Sequence, residues 1–407
     1  MNHLNFFDRF RLLIYSFLLV AYTFLFYTQF SRELSLGGPF TIVRTLILML
    51  MLIVVLFQKY STREVLLFLI IGIMCSIVSY QNRTIDPIIT FGAVLSLKDI
   101  PFKKIIEVDF VTRLLSTGTI VILSILNIIP SNNFYSGNKA DFLRHSFGFF
   151  HPNTFGAYIM ILVLEFIYLG ERYHKRNYRI LILPVAVVSL ELLSNNRTAE
   201  LSMILYITVY SIFSLPALKR VKEKTYKLIS FLILTVASMI SLFVSYSFNN
   251  GSYIWLKIND LMSGRPKMIN SIVTGIYPIH LFGQKTPLIG NTEGINIDGY
   301  LMTVFVDNSY MGILIKYGIV FFVLFLFWML INSFKYLSGN KRVVMLSWLI
   351  AIVSWGISED KLLAIQFNSL LLIYVSDSGG LKLEENLVND YQYKDENNAT
   401  LNNNSNV

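Results

Sequence analysis

Runs of 16 to 20 apolar residues recur along almost the whole 407-residue chain, separated by short polar segments. Each is long enough to cross ~30 Å of hydrocarbon as a helix, the structure that satisfies its own backbone there. The pattern predicts an all-α integral membrane protein with about twelve transmembrane helices. The spans are expected at 11–30, 39–57, 64–80, 85–97, 111–129, 153–170, 179–194, 199–216, 228–248, 307–331, 342–357 and 362–376. Composition agrees: 54% of residues are hydrophobic and 14% charged, and the mean hydropathy is +0.58. That charge would not cover a soluble protein of this size. The first apolar run is too long for a cleavable signal, and no small-residue cleavage site follows it. The single cysteine, Cys75, lies inside an apolar run, which leaves no disulfide framework.

Lysine and arginine decide the orientation. With the N-terminus inside, the cytoplasmic segments hold Arg9 and Arg11; Lys59 and Arg63; Lys98, Lys103 and Lys104; Arg172, Lys175, Arg176 and Arg179; Lys219, Arg220, Lys222, Lys224 and Lys227; and Lys335, Lys341 and Arg342. This topological bias accounts for the net charge of +9, so no nucleic-acid partner is expected. The fourth span is short. Without it three strongly basic loops would move outside, so it is kept as a tilted or half-buried helix. Residues 98–110 mix lysine with apolar side chains and are expected in the inner interface. Residues 1–376 form the membrane domain, and a polar, acidic, Asn-rich cytoplasmic tail, expected to be disordered, fills 377–407.

Hydropathy drops from 249 to 306, giving a long outer loop between spans nine and ten. Loops of that length are usually functional. Within it, Pro266–Tyr277 carries apolar residues at helical spacing, which predicts a short amphipathic helix on the outer interface.

No nucleotide loop, dinucleotide fingerprint or metal-ligand spacing occurs, so neither cofactor nor metal is expected. Polar residues instead collect near the outer helix ends. Arg144 and His145 precede His151-Pro152-Asn153, where Pro152 suits a first helical turn and pushes His151 into an extended conformation. Ser194-Asn195-Asn196-Arg197-Thr198 is expected as the tight outer turn between spans seven and eight, flanked by Glu191 and Glu200. Arg197 there is either a phosphate clamp or the partner of one of those acids. Ser263-Gly264-Arg265-Pro266 places a cation in the long loop, for a ligand or for solvent. Asp307 and Asn308 open span ten, where Asp307 is either an N-cap or a general base. Lys316, on the opposite helical face and about 13 Å deeper, and Arg44 are intramembrane cations that should line a cavity or find a partner. Glu165 is assigned a structural role. The cations and the lone acid map to one membrane face, an environment suited to an anionic lipid headgroup and most of all to a pyrophosphate.

At these residues the chain resembles the Wzy-type polymerases of the O-antigen polymerase/ligase superfamily. The matching pieces are GFFHPNTFGAY at 148–158, NNRT at 195–198, SGRP at 263–266 and DNSYMGILIKYGIVFF at 307–322. The superfamily's ligases typically carry a histidine just before the asparagine, where this chain has Asp307. The resemblance implies a membrane glycosyltransferase of GT-C-like type in the bacterial cytoplasmic membrane, multi-pass, with both termini cytoplasmic. It would join undecaprenyl-pyrophosphate-linked repeat units, donor and acceptor, into capsular or exopolysaccharide, alongside a flippase and a chain-length regulator. It further implies Arg197 and Arg265 on the pyrophosphate, His151 and Asn153 on headgroup or sugar, and Asp307 as base. Arg144 and His145 would serve as second choices. A ligase-like glycan transferase and a transporter or flippase of lipid-linked sugars remain the alternatives.

Overall fold

The computed structural model describes residues 5–29, 37–131, 134–136, 139–171, 178–218, 221–287, 295–297, 300–302, 304–337 and 341–373. Helices dominate: α1 Phe6–Phe26, α2 Gly37–Leu56, α3 Thr62–Asn82, α4 Asp86–Ser96, α5 Phe102–Ile125, α6 Pro152–Gly170, α7 Ile182–Leu193, α8 Arg197–Phe213, α9 Glu223–Tyr246, α10 Tyr253–Leu261, α11 Arg265–Ser271, α12 Ser309–Tyr336 and α13 Arg342–Trp355. Two short hairpins pair β1 Phe134–Ser136 with β2 Lys139–Arg144 and β3 Ile295–Ile297 with β4 Tyr300–Met302, a small departure from an all-α chain. Among the described residues six helices are long and apolar enough to cross a membrane: α1, α3, α5, α6, α9 and α12. Their outward faces carry large apolar side chains such as Leu69, Leu115, Met239 and Phe327, each more than half exposed. Such a surface is costly in water and suits lipid.

Local chemistry sets the helix starts. Ser61 and Glu64 exchange hydrogen bonds in a capping box on α3. Asn196 accepts from the Ala199 N–H on α8, and Asn308 from the Met311 N–H on α12. The helices join their basic ends in one place. There Arg11 Nε donates to the Ser96 carbonyl at 2.9 Å, Lys98 Nζ to that of Lys59 at 3.2 Å, and Lys341 Nζ to that of Tyr168 at 3.4 Å. At the opposite end the N-terminal parts of α6, α8 and α12 meet.

The short fourth segment is the half-buried helix expected, 11 residues and about 16 Å long, packed on α2 and α3. Three expectations change. Helix α5 begins at Phe102 and absorbs most of the segment expected at the inner interface. Span ten is broken at Gly318, whose φ of 85° only glycine adopts readily. Loop residues 280–284 dock on that break. Gly318 touches Gly283 there, and the N–H groups of Ile319 and Val320 donate to the His280 and Leu281 carbonyls at 3.1 Å. The break is tolerated because the loop carbonyls take up the N–H groups that the helix frees there.

The last expected span, 362–376, is not a helix over its described residues. Leu362–Ile373 is irregular chain ending in a single 3-10 turn, Ser369–Leu372. It runs from the Glu359 end back towards the basic end, where Leu370 and Ile373 lie beside Tyr336 and Met345. Its carbonyls find side-chain donors. Arg113 Nη1 donates to Gln366, Asn368 Nδ2 to Leu362 at 2.8 Å and Trp328 Nε1 to Leu371 at 3.2 Å. Glu165 joins this buried set, with its Oε2 3.5 Å from Arg113 Nε. The acidic tail at 377–407 lies outside the described residues.

Candidate functional site

The long loop folds back as structure. Helix α10 leads to Ser263 and Gly264, both in the left-handed region at φ 55° and 81°, and this turn starts α11 with Pro266 in its first turn. Of the segment's apolar positions, Pro266, Ile269, Ile272 and Val273 are buried and Met268 is exposed. The segment expected on the outer interface is therefore docked on the bundle, against α9. Docking brings Arg265 to Asp307, with Nη2 to Oδ2 at 3.6 Å.

Between this loop and the starts of α6 and α8 lies a cavity of about 800 Å³. Arg144, His151, Asn153, Arg197, Arg265 and Asp307 all line it, together with Asn195 and Asp260. Six candidates spread over more than 160 residues of sequence thus share one space. Asn153 is its anchor. Its Oδ1 accepts from Arg144 Nη2 at 2.6 Å, and its carbonyl from Asn196 Nδ2 at 2.9 Å. Its Nδ2 donates to Glu359 Oε1 at 3.1 Å. Arg144 Nε also holds the Ser194 carbonyl at 2.8 Å, so this guanidinium ties the cavity wall together.

The close approach of α6 and α8 depends on Gly156. A Cβ there would stand 2.0 Å from Asn196 Nδ2. Gly156→Ala is expected to push Asn196 off Asn153 at a cost of about 1–3 kcal/mol, moving Arg197 with it. Thermal unfolding of the purified protein reads that cost, and an unchanged midpoint would refute it.

Three candidate roles are sharpened. His151 takes the expected extended backbone (φ −145°, ψ 146°) and caps α6, its Nδ1 accepting from the Asn153 N–H at 3.1 Å. Burial, with Arg144, Lys361 and Arg265 nearby, pushes its pKa down to about 4. His151 therefore leaves the cation set: it is neutral at pH 7, with Nε2 carrying the proton. Arg197 is exposed and makes no ion pair or hydrogen bond with any described residue, while Glu200 instead meets Glu191. Asp307 is not the helix cap, because Asn308 fills that place. Burial pushes the Asp307 pKa up and the Arg265 cation opposes the rise.

Other candidates sit elsewhere. Asn308 is buried, its Nδ2 donating to Ser241 Oγ and to the Ile357 carbonyl. His145 packs on Phe147, with ring centroids 5.7 Å apart, and does not line this cavity. Arg44 and Lys316 line a separate cavity of about 290 Å³ beside α1, α2, α4 and α12. Sequence reasoning missed Glu359. Its side chain is buried and accepts from both Asn153 Nδ2 and Thr198 Oγ1 at 3.1 Å, with Lys361 Nζ at 3.5 Å. Burial raises its pKa despite the lysine. The Ser-Glu-Asp-Lys stretch at 358–361 reads as an ordinary polar connection, and only folding shows what it touches. Among the described residues no cluster of His, Cys, Asp and Glu is arranged to hold a metal ion.

The arrangement offers a guanidinium with no ion pair among the described residues, a second guanidinium beside a carboxylate, and a neutral imidazole donor around one polar space. It suits an anion whose neighbouring atoms undergo proton transfer. No protein-family model matches the chain, and no curated protein or solved structure matches it significantly.

Proposed function

We propose that the protein is a polysaccharide polymerase of the bacterial cytoplasmic membrane, joining undecaprenyl-pyrophosphate-linked repeat units at its outer face. The observation that carries this reading is the convergence of Arg197, Arg265, His151 and Asp307 on one cavity at the end opposite the basic loops. In this reading the chain crosses the membrane twelve times, the last time as irregular chain, with both termini inside. The cavity then opens on the outer side, and the membrane delivers both lipid-linked substrates to it.

The acceptor's sugar hydroxyl attacks the anomeric carbon of the donor. The new glycosidic C–O bond forms as the C–O bond to pyrophosphate breaks, and the bonding pair leaves with undecaprenyl pyrophosphate. Asp307 takes the hydroxyl proton. Arg197 and Arg265 stabilise the charge that grows on the leaving pyrophosphate, and His151 Nε2–H adds a hydrogen bond. Arg265 also favours the ionised form of Asp307 against the burial that disfavours it.

The test supplies the purified protein, in lipid, with the lipid-linked repeat unit of its host and follows products by size. Chain growth on the lipid is expected. Arg197→Ala should slow it by about 10²–10³-fold, the cost of losing one preorganised charge donor. Transfer only to a different acceptor, or movement across the bilayer without bond formation, would overturn the reading.

A further inference from the structure

The cavity beside Arg44 and Lys316 differs in chemistry from the one just described. Its walls carry the aromatic side chains Tyr22, Phe26, Tyr27 and Tyr317. Its charges are largely neutralised in place. Arg44 Nη2 lies 3.5 Å from Asp86 Oδ1, and Lys361 Nζ lies 3.5 Å from Glu359 Oε2 and 3.9 Å from Asp360 Oδ1. Donors and acceptors are therefore both present in its lining, which also includes Lys316, Gln366 and Thr90. A pyrophosphate would find carboxylates here and few open cations. A sugar ring matches better, since its hydroxyls both donate and accept and its C–H face packs on the negative face of an aromatic ring.

Two polar groups meet at this cavity. The Arg44 guanidinium faces the Tyr22 hydroxyl and stacks on the Phe26 ring at 4.0 Å, and among the described residues Arg44 Nε has no acceptor within hydrogen-bond geometry. Tyr22 is only 5% exposed, so no bulk water compensates it. A buried donor with spare capacity is costly unless a ligand hydroxyl accepts from it. The volume of about 290 Å³ is near the lower bound of small-ligand pockets, of order 300 Å³. The 359–361 turn links the two cavities through its contacts. Glu359 holds Asn153 and Thr198 on one side while Asp360 and Lys361 line the aromatic cavity on the other, and their charges reach Asp307.

We infer that this second cavity is a sugar-binding site, which receives the terminal sugar of the acceptor repeat unit and presents its hydroxyl towards Asp307. The acceptor role rests on the polymerase reading; the sugar-binding role does not. The test uses the full chain in nanodiscs and the free oligosaccharide repeat released from the host's lipid-linked unit by mild acid, which carries no pyrophosphate. Saturable binding is expected, weakened about tenfold or more by Asp86→Asn, by Tyr22→Phe or by Lys316→Ala. Arg197→Ala should leave it unchanged, and inorganic pyrophosphate should not displace it. Three variants guard against a single folding failure, because Tyr22→Phe removes one oxygen only. Absence of binding, loss of binding in Arg197→Ala, or displacement by pyrophosphate would each overturn the second site. Oligosaccharide binding without chain growth would overturn the polymerase and spare the sugar site.

Discussion

Asp307→Asn is expected to slow polymerisation by about 10²–10⁴-fold while leaving the protein folded. The substitution is nearly isosteric. The α12 cap is unaffected, because Asn308 accepts the Met311 N–H at 3.0 Å. What disappears is the proton acceptor. Its ionisation also predicts the pH dependence. Burial raises the Asp307 pKa above the ordinary carboxylate value, so activity should fall as pH drops through that raised pKa, and be retained above it. His151, with its pKa near 4, contributes no limb between pH 5 and 9. Arg265→Gln removes the cation that opposes the shift, and should move the acid limb to higher pH. A variant Asp307→Asn that turns over at the wild-type rate, or keeps the same acid limb, would remove Asp307 from the chemistry.

Arg113→Met should destabilise the protein by about 3–5 kcal/mol, the cost of breaking a buried ion pair by removing one partner. Arg113 is 2% exposed and sits between two carboxylates: Nη2 lies 2.5 Å from Asp109 Oδ1, and Nε 3.5 Å from Glu165 Oε2. Tyr15 and Ser369 complete the set, each with its hydroxyl 2.9 Å from Asp109 Oδ2. Arg113 also holds the Gln366 carbonyl of the irregular segment. Removing it strands two buried acids and one backbone acceptor together. The readout is the thermal midpoint in detergent. Adding Asp109→Asn and Glu165→Gln to Arg113→Met should recover much of the loss, since the stranded charges are then gone. A single variant that melts with the wild type would show that the network does not hold the segment.

The helix starts were legible because their chemistry is local. Pro152 after His151, Asn196 before Arg197, and Gly264 before Pro266 each mark a turn that needs no partner far away. Hydropathy located the helices for the same reason, but it cannot separate residues apolar for lipid from residues apolar for burial. Leu362, Ile365 and Phe367 are fully buried in protein, and the segment looked like a span. Its departure from helix depends on Arg113 and Trp328, hundreds of residues or tens of residues away in sequence. Asp307 and Asn308 are both good caps, and their order along the chain does not say which one turns inward. Glu359 was hidden by its setting, a short polar connection whose contacts with Asn153 and Thr198 exist only after folding.

The contact between Gly283 and Gly318 bears on how such a protein could be re-engineered. A Cβ on Gly318 would meet the Gly283 backbone nitrogen at 2.3 Å, and one on Gly283 would meet the Lys316 carbonyl oxygen at 2.4 Å. Asn82 Nδ2 reaches the same place, donating to the Gln284 carbonyl at 2.7 Å. The 249–306 segment is thus not a detachable module resting on the helical bundle. Its descending end supplies backbone bonds that α12 lacks after its break. A chimera that exchanges residues 249–306 alone would pair a foreign loop with an unmatched gap. Exchange through the first half of α12 as well, to Val320, keeps the loop with most of the backbone it completes, leaving Asn82 as the contact to match.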